Sequence, residues 1–449
     1  MFFHPLRGAT LRPFLRAAVA CATLGAFHAP PAPAGPRESA DAAPENTEHA
    51  GDPLPPEGAL AAIRCRVPAA ITLLASEPAI RNPVAAATDA AGRLVVAENL
   101  TYAEKPLKSD PRFRDRVVLL ADDDGDGTAE HRATLVDGLE TLTSVAVGRG
   151  GLWILCPPRL LFVPGGHLPP PGWPDAPDPE EPARRRAAAV EVLDGFTVSR
   201  TSHHTFANGL AWGPDGWLYG RCGASSPGEI GTPGSAPDQR VPLRGGIWRF
   251  HPERKAFEAL CHGTTNPWGL DWTDLGAGFF TNTVNGHLWR VLPGAHYARS
   301  HTTEPHPHVT EPLRHHADHD HFDTSLHWTA SRDGKADAQG GGHAHAGCLI
   351  VPDEPGWPAP LRGRLLTLNL HGRRINADRL DATPAGIVGR HEEDLATFGD
   401  PFFRGIDLVE MPGRAFALLD WSDTGECHEG TGVHRTSGRV WRFAFDAAD

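Results

Sequence analysis

The apolar positions along the chain repeat as a unit of two short apolar strands joined by a glycine-containing turn, with a polar loop in front. Six copies occur, with turn glycines at positions 92, 151, 216, 278, 363 and 413, separated by 59, 65, 62, 85 and 50 residues. A period of roughly 60 residues with several short strands per unit is typical of propeller blades. The sequence therefore predicts an all-β fold, a six-bladed β-propeller of four-stranded antiparallel blades.

Further apolar runs predict the outer strands of these blades. They lie at 116–120, 246–250, 287–291 and 439–443. The last of them is expected to close the ring beside residues 71–74, where another apolar run occurs. A β-sandwich with a second domain is the alternative, because such folds also contain short strands, but they do not require a repeated unit.

The first part of the chain has the character of a targeting segment. Arginines precede an apolar run at 17–27, and small residues follow at 32–34, so residues 1–34 are expected to be a signal peptide. Residues 35–58 are rich in Pro, Ala and Glu and predict a flexible leader, and the propeller is expected over 59–449. The apolar run is too short to span a bilayer. We therefore expect an exported protein, periplasmic or extracellular, with membrane association through a lipid on Cys21 as an alternative.

Charge and motifs exclude several function classes. The chain of 449 residues has a formal net charge of −13 and no basic stripe, so nucleic-acid binding is not expected. No GxSxG motif and no GxGxxG between a strand and a helix occur, which argues against serine hydrolases and nicotinamide dinucleotide folds. No CxxCH occurs, so covalent c-type haem is not expected in this chain. Six cysteines follow the signal peptide, and this even number permits disulfides without choosing a pairing.

Polar residues concentrate just before or at the start of the predicted inner strands. In a propeller, the loops that enter the inner strands open at one face, so these residues are expected to share one pocket. They are Arg81, Asn82, Thr143, Ser144, His203, His204, Asn208, Asn266, Trp268, His343, His345 and Arg404. The alternative for each is that its side chain only satisfies backbone groups of a turn.

Histidines crowd an insertion between the fourth and fifth repeats. Eleven of the 25 histidines fall between His296 and His345, within the segment 296–346. Imidazole is a common metal ligand, so a zinc or copper site is one interpretation. The spacing matches no standard structural zinc pattern, and no clustered cysteines accompany it. We therefore expect the insertion mainly to contribute histidines to the pocket, with a dedicated metal site as the alternative.

An acidic segment at 122–130 predicts a calcium loop. Asp122, Asp124, Asp126 and Glu130 occupy relative positions 1, 3, 5 and 9, with Gly127 at position 6 for the turn. Carboxylates in this pattern suit the oxygen-rich shell of Ca²⁺. No acidic residue occupies position 12, so the segment is not an EF-hand but a short loop between two strands. A solvated acidic turn is the alternative.

Several segments taken together resemble a known family. They are residues 116–127 (RVVLLADDDGDG), 203–216 (HHTFANGLAWGPDG), 266–269 (NPWG), 341–345 (GGHAH), 369–375 (NLHGRRI) and 421–428 (WSDTGECH), followed by His434 and Arg435. From about residue 71 onward, the chain resembles the membrane-bound dehydrogenase propellers that are often fused to a c-type haem domain. More distantly, it is similar to the glucose/sorbosone dehydrogenases and the soluble quinoprotein glucose dehydrogenases.

The quinoprotein resemblance implies oxidation of a sugar or polyol hydroxyl by pyrroloquinoline quinone, with a histidine as base and the quinone as hydride acceptor. His204 best matches that base, with His203 as the other candidate, and Asn266 matches an asparagine at the quinone. Cationic cofactor contacts are implied at Arg373, Arg374 and Arg404. Asn208, Trp268, His343 and His345 are expected to complete the cofactor site. Electrons would pass to a separate acceptor, since this chain contains no haem motif.

Two departures from the quinoprotein pattern remove positive charge. The quinoproteins have an arginine directly before the matched asparagine, where this chain has Thr265, and another two residues before the Arg404 match, where it has Phe402. Both arginines belong to the group that would hold an anionic quinone. The departures favour an alternative function, a non-catalytic propeller that binds a carbohydrate or a protein. A third hypothesis is a hydrolase or lactonase with a metal at the axis.

Overall fold

The computed structural model describes residues 45–47, 51–104, 107–165, 178–198, 205–284, 286–299, 309, 311–332, 334–425 and 432–446. These residues form small antiparallel sheets arranged as the six blades of a β-propeller, so the predicted fold is confirmed. The predicted signal peptide, with Cys21, lies outside them. In the described part of the chain, no helix is long and apolar enough to cross a membrane.

The first three blades follow one another along the chain, and each begins with its inner strand. Blade 1 consists of Pro83–Thr88, Leu94–Glu98, Asp115–Ala121 and His131–Leu139. Blade 2 consists of Ser144–Gly148, Gly151–Cys156, Arg159–Pro164 and Val190–Leu193. Blade 3 consists of Asn208–Trp212, Leu218–Cys222, Gly246–His251 and Ala256–Gly263, with His296–Tyr297 parallel to its outer edge.

The remaining blades differ in their number of strands. Blade 4 has three among the described residues, Asn266–Trp272, Gly278–Thr283 and Trp289–Arg290. Blade 5 has five, His345–Ile350, Arg364–Asn369, Arg374–Thr383, Gly386–Phe398 and Ile63–Cys65. Blade 6 has four, Gly405–Met411, Ala415–Asp420, Arg439–Ala444 and Ala70–Ala75. The early strand Ile63–Cys65 thus adds a fifth strand to the four-stranded plan of blade 5, and three strands of blade 4 lie among the described residues.

Short elements lie outside the blades. A hairpin joins Gly228–Ile230 to Val241–Leu243, and two α-helices span Pro56–Ala61 and Glu181–Ala187. Single 3-10 turns occur at Pro237–Gln239, Trp328–Ser331 and Asp337–Gln339.

The apolar side chains pack between the blades. Six core clusters occur among the described residues, one at each junction of neighbouring blades, including that of blades 6 and 1. The second strand of a blade is covered on both faces, and Leu94–Glu98 and Ala415–Asp420 are buried along their whole length. This double burial explains why these strands are continuous apolar runs. The turns before them need a left-handed residue, which Gly92 supplies with a φ of 82°.

Blade 6 closes the ring as the sequence predicts. Its outermost strand, Ala70–Ala75, pairs antiparallel with Arg439–Ala444, with Ile71 opposite Phe443. Arg439 is fully buried at this closure and forms ion pairs of 2.8 Å with both Glu77 and Asp400.

The acidic loop of blade 1 is attached to the same closing strand. Thr72 Oγ1 donates a hydrogen bond of 2.7 Å to the carbonyl of Gly127. The amide of Ala129 donates to the carbonyl of Leu74 at 2.8 Å. The loop therefore lies at the seam between blades 6 and 1.

The segment predicted as a flexible leader differs from its prediction where the structure describes it. The helix Pro56–Ala61 begins inside this segment, and the Asn46 side chain donates a hydrogen bond of 2.7 Å to Thr436 Oγ1. Arg439 also donates to the carbonyl of Leu54. These contacts with blade 6 order residues whose composition alone predicts disorder.

The cysteines make no disulfide among the described residues. Cys65, Cys156, Cys222, Cys261 and Cys348 are free thiols, and Cys65 is the least buried of them. Cys427 lies outside the described residues.

Candidate active site

A pocket opens at the propeller axis, on the face where the predicted polar loops meet. All six blades contribute lining residues at or just before the start of their inner strands, namely Val84, Thr143, Phe206, Asn266, His345 and Arg404. Its empty volume, open to solvent, is about 1040 Å³. The place of the pocket therefore agrees with the repeat positions of the polar loops.

A second set of lining residues lies at the end of the second strand of several blades or just after it. These residues are Asn99, Tyr102, Glu104, Thr283, Leu370, Trp421, Asp423 and Gly425. In an antiparallel pair, the start of the first strand and the end of the second lie at the same edge of the sheet. The sequence analysis considered only the loops that enter the inner strands and missed this set. The hairpin pairing of the repeat was the signal that could have found it.

Asn266 presents an unpaired acceptor at the pocket wall. The side chain is buried, and its Oδ1 makes no hydrogen bond. Its backbone is fixed, because the Asn266 amide donates a hydrogen bond of 2.8 Å to Asn282 Oδ1. Trp268, two residues further along the strand, also lines the pocket and is only partly buried. Blade 4 thus contributes both a residue with an unpaired acceptor and an aromatic residue to the pocket.

Arg404 lines the pocket, but most of its donors are directed at the backbone. Its Nη1 donates to the carbonyls of Pro401 (3.0 Å) and Phe403 (2.8 Å). Its Nη2 and Nε donate to the carbonyls of Thr424 (2.7 Å) and Gly425 (3.2 Å). These bonds hold the loop after the second strand of blade 6. If Arg404 bound a ligand carboxylate with two of its donors, it would lose some of these hydrogen bonds to the backbone.

Two carboxylates face the same pocket. Asp423 is buried and accepts hydrogen bonds from the amides of Gly425 (2.8 Å) and His434 (3.2 Å). Glu104 accepts from the amide of Gly432 at 3.0 Å. Both residues supply negative charge and hydrogen-bond acceptors to the cavity.

The two histidines predicted in the pocket separate in the structure. His345 lines the pocket, and its Nε2 lies 3.1 Å from Asn369 Nδ2. Burial and the neighbouring His321 and His287 hold the pKa of His345 well below its usual range, so the ring is neutral. His343 does not line the pocket; its Nδ1 lies 2.7 Å from Ser331 Oγ. The structure thus favours His345 over His343 as a ligand contact.

Other predicted contacts lie away from the pocket wall or have other partners. Arg374 is held by Asp394 (2.8 Å) and Asp337 (3.0 Å), which does not support its assignment to a cofactor. Asn208 donates to the carbonyls of Phe206 (3.0 Å) and Pro267 (3.4 Å), so it ties blade 3 to blade 4. These two side chains and Arg373 are not among the lining residues.

The predicted base lies in a segment that the structure leaves undescribed. His203 and His204 both lie outside the described residues. Their roles therefore stay predictions.

Two groups of side chains could hold a metal ion among the described residues. One is the predicted calcium loop, Asp122, Asp124, Asp126 and Glu130, and the other is His287, His319, His321 and Asp378. In each group the ligand atoms lie within 4.8 Å of one another. Neither group contains a residue that lines the pocket. The described residues thus provide no ligand set for the axial metal of the hydrolase hypothesis.

Comparison with known proteins gives a family and a fold. The family described as a domain of unknown function (DUF7133) matches residues 55–424. No curated protein matches the sequence.

Two solved structures show the same fold at low sequence identity. The aldose sugar dehydrogenase of Streptomyces coelicolor, in its form bound to pyrroloquinoline quinone, is 15% identical with a TM-score of 0.51, covering 85% of this chain and 99% of its own. An oxidoreductase of Thermus thermophilus, described as a glucose dehydrogenase, is 16% identical with a TM-score of 0.52, covering 84% and 100%.

Proposed function

The chain belongs to the DUF7133 family and has the fold of the sugar dehydrogenases, and on this premise we propose that its axial pocket binds a sugar or a polyol. The observation that carries the proposal is the buried, unpaired Oδ1 of Asn266 in a pocket that Trp268 of the same strand also lines. A hydroxyl group can donate to this oxygen, and the C–H face of a sugar packs well on an aromatic ring. An unpaired buried acceptor is costly, so a donating ligand would stabilise it.

The charge of the pocket favours a neutral ligand. Asp423 and Glu104 supply acceptors for further hydroxyl donors, and neutral His345, whose Nε2 accepts from Asn369, has its other ring nitrogen as a donor. The donors of Arg404 are largely committed to carbonyls. Such a set suits a polyhydroxylated molecule better than an anion.

Replacing Trp268 with alanine is expected to weaken sugar binding about tenfold, which corresponds to about 1.4 kcal/mol, close to the value of one aromatic contact. Calorimetric titration with D-glucose and with sorbitol would measure the loss. The matched control is Trp272→Ala, because Trp272 lies on the same strand and outside the pocket. Equal affinities of wild type and Trp268→Ala for every ligand bound would contradict the proposal.

The described residues do not fit pyrroloquinoline quinone. Its carboxylates call for cationic partners, preferably bidentate arginines. Arg404 is the only arginine lining the pocket in the described part of the chain, and the carboxylates of Asp423 and Glu104 line the same pocket. The residues at the two positions where the quinoproteins carry arginines are the neutral Thr265 and Phe402.

Oxidation of the bound sugar is the second candidate function, and the shared fold favours it. It would need pyrroloquinoline quinone, a base such as His204, and a separate electron acceptor. Fluorescence titration with the quinone, followed by a dye-reduction assay with glucose, separates the candidates. We expect sugar binding without dye reduction. Reduction that requires both the quinone and His204 would establish the dehydrogenase instead.

We also propose that the acidic loop binds Ca²⁺, as its spacing predicts. The loop is preformed, because Asp122 accepts hydrogen bonds from the amides of Gly125 (2.8 Å) and Gly127 (2.9 Å). Its attachment to Thr72 means that an ion there would stabilise the seam of the ring. Export of the protein is a further proposal, resting on the sequence of residues 1–34.

Replacing Asp124 with alanine is expected to abolish most of the stabilisation by Ca²⁺. At a concentration 100-fold above Kd, that stabilisation amounts to about 2.7 kcal/mol. Thermal denaturation with Ca²⁺ and with EGTA would measure it. Asp123→Ala is the control, since Asp123 is adjacent and exposed but not part of the ligand group. If both variants keep the full gain in Tm, the loop is a solvated turn.

A further inference from the structure

A buried cluster of histidines lies between blades 4 and 5, outside the pocket lining. It consists of His287, His319, His321 and Asp378. His287 precedes the last described strand of blade 4, and Asp378 lies in the third strand of blade 5. His319 and His321 come from the histidine-rich insertion. The fold thus brings three imidazoles and one carboxylate together from three separate parts of the chain.

Several polar atoms of the cluster lack hydrogen bonds despite their burial. His321 is 1% exposed, and neither of its ring nitrogens makes a hydrogen bond. His319 Nε2 and Asp378 Oδ1 lie 3.3 Å apart, but neither makes a hydrogen bond. A buried polar group without a partner costs about 1–3 kcal/mol. An ion bound by one ring nitrogen of His321, by His319 Nε2 and by Asp378 Oδ1 would remove most of that penalty.

The surroundings orient the imidazoles for metal binding. His319 Nδ1 lies 3.1 Å from Asp318 Oδ1, and Asp318 is in turn paired with Arg390. A carboxylate on the far nitrogen is the usual support of a metal-bound histidine, because it fixes the tautomer. Because Asp318 lies at Nδ1 of His319, the Nε2 of His319 is left to face Asp378. A side chain on Gly340 would place its Cβ 2.5 Å from His321 Nδ1, so glycine is needed for that ring to fit.

The backbone that carries these histidines is also held in place. The amide of Asp318 donates to the carbonyl of Gly389 at 3.1 Å, and the amide of Gly389 donates to the carbonyl of His316 at 2.8 Å. The amide of His316 donates to the carbonyl of Leu288 at 2.8 Å. The insertion is thus joined to both blades beside the cluster, which reduces the ordering needed on binding.

We propose that His287, His319, His321 and Asp378 bind one zinc ion. Three imidazole nitrogens and one carboxylate oxygen form a set that Zn²⁺ accepts in tetrahedral geometry, with bonds of about 2.0–2.2 Å and ligand atoms about 3.3 Å apart. The 3.3 Å between His319 Nε2 and Asp378 Oδ1 already meets this spacing. Four protein ligands make a closed site, which is structural rather than catalytic.

The proposed ion would hold the insertion against the wall of the pocket. The ring of His345, which lines the pocket, lies 5.1 Å from that of His287 and 5.0 Å from that of His321, centre to centre. The ion would therefore stabilise one side of the pocket without contacting its ligand.

Metal analysis of untagged protein, purified with Zn²⁺ and dialysed, tests the proposal. Wild type is expected to hold one zinc per chain, and His321→Gln and Asp378→Asn are expected to lose it. Chelator-stripped wild type should bind Co²⁺ with the strong visible bands of a tetrahedral site, which tests the site without any substitution. Zinc content near zero in wild type, together with no such Co²⁺ spectrum, would overturn the proposal.

Two control variants separate this site from other ligands. His327→Ala removes an exposed histidine of the same insertion, and Asp124→Ala removes a carboxylate of the acidic loop. Both are expected to keep one zinc per chain. Full zinc in His321→Gln and in Asp378→Asn would show that the ion binds elsewhere.

Discussion

Replacing Arg439 with alanine is expected to lower the free energy of unfolding by about 3–5 kcal/mol, because it leaves the buried carboxylate of Asp400 and the partly buried one of Glu77 without their cation. Arg439 is fully buried between Glu77 and Asp400, each 2.8 Å away. Asp400 is itself buried, so it cannot recover its hydration when the arginine is removed. The destabilisation would affect the closure of the ring, because Arg439 lies in one of the two closing strands and Glu77 lies just after the other, Ala70–Ala75.

Urea denaturation followed by tryptophan fluorescence measures this loss. Arg442→Ala is the matched control, since Arg442 lies on the same strand and is only partly buried. Its loss is expected to stay below about 1 kcal/mol, as for an arginine at the surface. Similar losses in the two variants would show that the buried ion pairs do not hold the closure.

Replacing Asp420 with asparagine is expected to flatten the pH dependence of stability. Asp420 is fully buried, and burial raises its pKa to about 7, above the value of about 3.9 in an unfolded chain. The folded state therefore prefers the protonated acid. Its contribution to stability is fully present below pH about 4 and is lost as the pH rises through about 7. At about 1.4 kcal/mol per pKa unit, the loss amounts to about 4 kcal/mol at pH 8.

Asparagine stays neutral and keeps the acceptor that Asp420 uses. Its Oδ1 can accept from the amides of Arg404 (2.8 Å) and Ser422 (2.9 Å), as the acid does. Unfolding free energies at pH 4.5 and pH 8 should therefore differ less in Asp420→Asn than in wild type. Asp238→Asn, an exposed control, should behave like wild type. An unchanged slope in Asp420→Asn would mean that Asp420 is ionised throughout this range.

The six-bladed architecture could be predicted from the sequence because each blade is indicated by residues that lie close together in the chain. Each unit carries its own turn glycine and its own apolar strands, so the inner strands from Pro83–Thr88 to Gly405–Met411 could be placed without knowing their partners. The closing pair needed one further step, since Ala70–Ala75 and Arg439–Ala444 were the runs left to close the ring.

The sequence predicted the pocket residues at the starts of the inner strands, but not those at the ends of the second strands, because the position of the latter depends on strand pairing. Glu104 and Asp423 follow second strands and reach the mouth only through the antiparallel return of the chain. Arg374 seemed free to bind a cofactor until the fold placed Asp394 beside it. A sequence shows which residues are charged, but not which of them neutralise one another.

The histidine cluster shows the same limit. The sequence shows the many histidines of the insertion, which include His319 and His321, although their spacing matches no standard zinc motif. His287 and Asp378 lie outside the insertion and carry no signal of their own. They become ligand candidates only because blades 4 and 5 are neighbours, which is a property of the whole ring.

The closing strand also has a consequence for how the chain is made. Ala70–Ala75 is synthesised before its partner Arg439–Ala444, which appears only after every residue between them. Packing between consecutive blades can form as each blade is completed, whereas the junction of blades 6 and 1 must wait. Until Arg439–Ala444 has been made, the earlier blades can form only an open arc with two uncovered edges. If the chain crosses a membrane unfolded during export, its blades can pack against one another only after the chain has crossed.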